Sequence, residues 1–139
     1  MARKNTITIE QEILTALEPL FAGRISGSLY PSDCRPLNSQ LEDVVITVSS
    51  ASAEQIQEGR ARVNIYVPDI DNNSGRLVPD KERLEELAAL DEEVLAVLNE
   101  ADTDFDFELF QATASIADPD IKQHFVNINL EFKYITFNS

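Results

Sequence analysis

Phe125-Val126-Asn127-Ile128-Asn129-Leu130-Glu131-Phe132-Lys133-Tyr134 alternates large apolar and polar side chains from Val126 onward. Successive side chains of a β-strand point to opposite faces, so this run reads as a strand with one buried side. Val126, Ile128, Leu130, Phe132 and Tyr134 take the buried side; Asn127, Asn129, Glu131 and Lys133 take the other. The run is long, since strands are usually about 5–6 residues. Just upstream, Phe105, Phe107 and Leu109 alternate with Asp104, Asp106 and Glu108. From Phe110 the large-residue phase shifts to Ala112 and Ala114, which predicts a bulge or a change of face. Ala117-Asp118-Pro119-Asp120 supplies turn residues between the two runs, so the last third reads as a β-hairpin.

Working outward, Leu84, Leu87, Leu90, Val94, Val97 and Leu98 recur at helical spacing and predict one helix over residues 80–100, with Asp80 as its N-cap. Val63, Ile65 and Val67 alternate with Arg62, Asn64 and Tyr66 in a strand that Pro68 ends. Val44, Ile46 and Val48 predict another strand over residues 43–49, pairing with the first across a polar bridge at 50–59. Residues 23–31 read as a short extended segment. Ile9, Ile13, Leu17 and Leu20 predict a helix over residues 8–22, with Thr8 and Gln11 as a capping box, Gly23 as its stop and Pro19 as a kink or fraying point. The order is α-β-β-β-α-β-β. It predicts an α+β fold: a mostly antiparallel sheet of about five strands, two helices on one face, and the other face wet or covered by a partner.

The chain has 139 residues, which fits one domain, and 43% of them are hydrophobic. A domain of that size buries roughly two-thirds of its unfolded surface, so it can fold without metal or disulfides. Cys34 is the only cysteine, so a reducing compartment is expected. Residues 1–8 are polar and carry no signal-peptide core, and no apolar run approaches the roughly 20 residues of a membrane span. A soluble intracellular protein is expected. The 25 acidic residues outweigh 11 basic ones, for a net charge of -14. Nucleic acid and anionic membranes repel such a surface, because phosphate binding needs clustered Lys and Arg. The surplus either keeps the protein soluble or matches a basic protein partner.

Few residues suggest chemistry. His124 is the sole histidine, and nothing near it or Cys34 matches a triad or a Cys–His signature. With four glycines and no GxGxxG or Walker loop, no nucleotide cofactor is implied. Asp69, Asp71 and Asn73, with Asp80 in the twelfth position, echo the oxygen spacing of an EF-hand calcium loop. Ser74 stands where that loop wants Gly, Asp80 replaces the bidentate Glu, and a strand precedes the loop. Ordinary turn chemistry explains the same residues. Asp104, Asp106 and Glu108 share one strand face, as a solvated side or as a contact for a basic partner. The chain is expected to have no enzymatic activity and no cofactor.

Gly23-Arg24-Ile25 leading to Tyr30-Pro31, the strand at 43–49, and Gln57-Glu58-Gly59-Arg60 opening the strand Val63-Asn64-Ile65-Tyr66-Val67 resemble the tail terminator (tail completion, head–tail joining) proteins of long-tailed bacteriophages. The second helix and terminal hairpin complete that order. The resemblance implies a structural protein made in the bacterial cytoplasm and incorporated in the virion. It implies a ring, typically hexameric, that meets the tail tube and head–neck proteins, with an acidic lumen that lets DNA pass. Loops 50–59, 69–79 and 115–123 are then the expected contacts, with Gln55, Gln57, Asp71, Asn73, Asp118 and Asp120 joined by Asp104, Asp106 and Glu108. The alternative is a monomeric acidic binding module, of inhibitor or immunity type, that neutralises a basic partner.

Overall fold

A computed structural model describes residues 4–51, 56–101 and 105–135. Helix α1 (Thr6–Phe21) is followed by strands β1 (Leu29–Pro31), β2 (Val44–Ala51) and β3 (Ile56–Pro68). A small hairpin, β4 (Ile70–Asp71) and β5 (Leu77–Val78), leads into helices α2 (Lys81–Ala88) and α3 (Asp91–Glu100). Strands β6 (Phe105–Leu109) and β7 (Ala114–Asp118), a 3-10 turn (Pro119–Ile121) and β8 (Gln123–Ile135) close the described chain.

The α+β class holds. The main sheet has the order β1-β2-β3-β8-β6, with β7 also on β8. β8 is its axis: the alternating terminal run pairs antiparallel with β3 from Pro68↔Gln123 to Ile56↔Ile135. On its other side it carries β7 and then β6, which run in one direction along it. Leu109 pairs with Leu130 and Ala114 with Asn127, so residues 110–113 bulge against 128–129 where the phase shift lies.

Several expectations need correction. The predicted helix at 80–100 is two helices. Ala89 N–H donates to Glu85 and Leu87 carbonyls and Leu90 N–H to the Leu87 carbonyl, a tight last turn that stops α2. Asp91, Glu92 and Glu93 then favour a new positive helix end. The break redirects the apolar stripe: α2 packs on β3 and β8, whereas α3 packs on α1 and β6. The sheet has six strands rather than about five, and β1 runs parallel to β2. Much of the polar bridge at 50–59 is strand, because register with β8 extends β3 back to Ile56. Helix α1 starts before Thr8: Asn5 is the N-cap, its Oδ1 accepting from Thr8 N–H at 2.8 Å. It also runs past Pro19 to Phe21.

The helices cover one sheet face. Ile9, Ile13, Leu17 and Phe21 of α1, Leu84 and Leu87 of α2, and Val94 and Leu98 of α3 bury against it. Beneath them lie Val44, Ile46, Val63, Ile65, Ile128, Leu130 and Phe132. Each such side chain contributes about 1.5–3 kcal/mol relative to exposure. Phe105 meets Phe132 edge-on at 4.9 Å between ring centres. On the opposite face Arg60, Arg62, Asp106 and Glu108 are exposed.

Candidate functional site

Register fixes which loops share one end of the sheet. β3 and β7 both end opposite Gln123, the first residue of β8, and Val44 opens β2 beside Ile65. The loop at 32–43, the β4–β5 hairpin and the turn at 118–122 therefore gather at that end.

A buried polar cluster braces it. Arg35 Nε donates to Asp43 Oδ2 at 2.9 Å, and its Nη2 reaches the Leu41 carbonyl at 3.1 Å and Gln123 Oε1 at 2.9 Å. The guanidinium lies over the Tyr66 ring at 4.2 Å. Asp43 has no exposed surface and also accepts from Ser39 Oγ at 2.5 Å and Ser28 N–H at 3.1 Å. Gln123, 1% exposed, donates to the Ser39 carbonyl at 2.7 Å. Burial by itself would raise the Asp43 carboxyl, but donation by Ser39, Arg35 and Ser28 and the Arg35 charge outweigh it and hold the group below the usual carboxylate range. Burial and the Asp118 charge push the Tyr66 phenol up, so it stays protonated. Gly27 is required: a Cβ there would stand 1.9 Å from Asp43 Oδ1 and 2.7 Å from the Glu42 carbonyl.

The neighbouring carboxylate ties this loop to the helices. Arg83 of α2 grips Glu42 with Nε to Oε2 at 2.7 Å and Nη2 to Oε1 at 2.9 Å, and also donates to the Arg24 carbonyl. Glu42 thus fastens this segment to α2, and Asp43 fastens it through Arg35 to Gln123 of β8.

What this bracing displays is apolar. Ser39 N–H donates to the Pro36 carbonyl at 3.3 Å, and Asn38 has φ 61°, so 36–39 is a tight turn with the left-handed residue that Asn tolerates. Leu37 stands on that turn 93% exposed, with Leu41 at 49% behind it. The β4–β5 hairpin adds Ile70 and Leu77, both exposed. These are four of the seven large hydrophobic residues exposed among the described residues. The hairpin is anchored by Asp69 N–H to the Lys122 carbonyl at 3.1 Å and by His124 Nδ1 to Asp69 Oδ1 at 2.7 Å.

Of the contacts expected from sequence, Asp71, Asn73, Asp118 and Asp120 lie at this end. Asp106 and Glu108 lie on β6, opposite Lys133 and Glu131. Gln57 pairs through its backbone with Tyr134, toward the other end. Gln55 and Asp104 fall outside the described residues. Three of the four candidate calcium ligands have other partners: Asp69 meets His124, Asp71 Oδ1 accepts from the Asn73 N–H at 2.8 Å, and Asp80 Oδ1 accepts from Arg83 N–H at 3.2 Å. Among the described residues no group of three or more His, Cys, Asp or Glu side chains could hold a metal ion. Nor is any described helix long and apolar enough to cross a membrane.

Sequence reasoning missed Arg35, Asp43, Gln123 and Leu37. Arg35 and Gln123 are 88 positions apart, and no periodicity links them. A Leu between Pro36 and Asn38 in a polar loop was the one visible sign. No family model matches this sequence, and comparison with curated proteins finds no match.

Proposed function

We propose that this chain is a structural tail-assembly protein of a phage or prophage. In this reading it is a tail terminator or head–tail connector subunit that forms a ring and docks to tail-tube and neck proteins without catalysis. It is made in the host cytoplasm and ends in the virion. The observation that carries the reading is the braced end, where Leu37, Leu41, Ile70 and Leu77 are held out on fixed loops. Exposed apolar side chains gathered on anchored loops mark a protein contact, because a rigid loop loses little entropy on docking. Element order and the turn residues from Gly23 to Ile70 support the assignment to tail assembly.

Light scattering coupled to size exclusion, across protein concentration and salt, tests the reading. The expected result is a closed oligomer with a central hole in negative stain. Leu37→Asp, at a site with almost no packing, should leave stability within about 0.5 kcal/mol and shift the equilibrium toward monomer. The net charge of -14 also suits the inhibitor-type alternative. A strict monomer at every concentration, and no assembly onto tail tubes, would favour that alternative.

A further inference from the structure

One edge of the sheet is treated differently along its length. At β6 the Asn99 side chain from α3 behaves as a substitute strand: its Nδ2 donates to the Phe107 carbonyl at 3.0 Å and its Oδ1 accepts from Phe107 N–H at 2.8 Å. Past the bulge, at β7, among the described residues nothing takes that place. Its five residues, Ala-Ser-Ile-Ala-Asp, include no Lys or Pro, the residues that usually blunt an edge. The first four are exposed.

Beside this open edge runs a groove of about 660 Å³ between α2 and the sheet. Leu84 and Ala88 form its helix wall, Val126 and His124 its floor, and Ser115 and Ala117 its edge side. Pairing places Ser115 with Val126 and Ala117 with His124 on this helix-covered face. Ile116 and Asp118 fall on the opposite face, with Phe125 and Gln123. The small side chains of β7 leave the groove open.

We propose that β7 and the α2 groove form a strand-addition site for an extended, cationic segment of a partner protein. A guest strand on β7 gains main-chain hydrogen bonds, and its alternate side chains face opposite ways. One set enters the groove between Leu84, Ala88 and Ala117 and is apolar. The other set lies beside Ile116 and Asp118.

Charge selects the occupant. In the groove lining Glu85 stands against Lys81, and Asp91 is held at the bulge end by Thr113 Oγ1 at 2.7 Å. Asp118 lies across β7 on the opposite face, beside the other set of guest side chains, and the chain as a whole carries a net charge of -14. A second copy is a poor guest. It brings another net charge of -14 to the same rim, and its other sheet edge, β1, is three residues ending in a proline without an amide hydrogen. A Lys-bearing segment satisfies both edge and rim. This site adjoins the β4–β5 hairpin at Ala117 and does not depend on the tail-assembly reading.

The test uses a capped synthetic peptide of alternating Lys and Val, and its Glu/Val counterpart, with amide hydrogen exchange on the full chain. Saturating Lys/Val peptide should slow exchange over residues 114–118 by about tenfold or more, less so at high salt, and the Glu/Val peptide should not. Ala117→Lys puts a bulky cation in the groove and should abolish the protection, as should Ser115→Lys; both variants are compared at an unchanged melting temperature. Equal protection by both peptides would overturn the proposal. So would Lys/Val binding that leaves 114–118 unprotected, or protection of 114–118 that grows with protein concentration alone and so reveals a second copy on the edge.

Discussion

Replacing Asp43 by Asn removes one negative charge from the centre of the brace while keeping its shape. Asp43 accepts three hydrogen bonds, from Arg35, Ser39 and Ser28. An Asn amide keeps one acceptor oxygen and turns a donor toward groups that are themselves donors, so at least one of these contacts is lost. Arg35, with a side chain only 12% exposed, is left without its counter-charge. Breaking a buried pair in this way costs about 3–5 kcal/mol. At about 4 °C per kcal/mol, where the ranges for smaller and larger domains meet, that lowers Tm by about 10–20 °C. The assay is calorimetric or circular-dichroism melting, with urea titration at pH 7. The pH dependence supplies a second arm. Because the folded-state pKa is lowered, the Asp43 contribution is present above the unfolded value of 3.8 and is lost as pH falls through the folded value. The gap between wild type and Asp43→Asn should therefore be widest at neutral pH and close in acid. A gap under about 1 kcal/mol at pH 7, no more than an ordinary surface hydrogen bond contributes, would refute the reasoning. So would a gap that does not change between pH 7 and acid.

Other substitutions probe neighbouring elements. Gly27→Ala drives a methyl group against Asp43 Oδ1 and the Glu42 backbone, and is expected to cost about 1–3 kcal/mol in urea unfolding; a neutral result would mean the loop has room the geometry denies. Asn99→Ala strips both bonds from Phe107 and should cost about 1–3 kcal/mol while speeding exchange of the Phe107 amide, so unchanged exchange would show that Asn99 does not seal β6.

Period-two alternation from Val126 to Phe132 and at 105–109 specified strands and their buried faces, because a strand with one dry side must place apolar residues at every second position. The Phe110 phase shift located the bulge, and Pro119 with its acidic neighbours located the hairpin turn. These signals are local, and local sterics and burial decide them. The break at Ala89 and Leu90 was not legible, because the apolar stripe runs through it and only packing against two different partners divides it. The extension of β3 through a polar segment was hidden for a similar reason: thirteen residues of register with β8 override composition. The brace could not be read at all. Arg35, Asp43, Tyr66 and Gln123 carry no mutual spacing, and a scattered set of polar residues becomes one buried network only when the sheet brings the start of β2 and the start of β8 to the same end. Sequence determined which residues avoid water and in what rhythm; tertiary structure alone decided which polar groups share a buried site, because hydrogen bonds between distant segments depend on distances that only the folded chain sets.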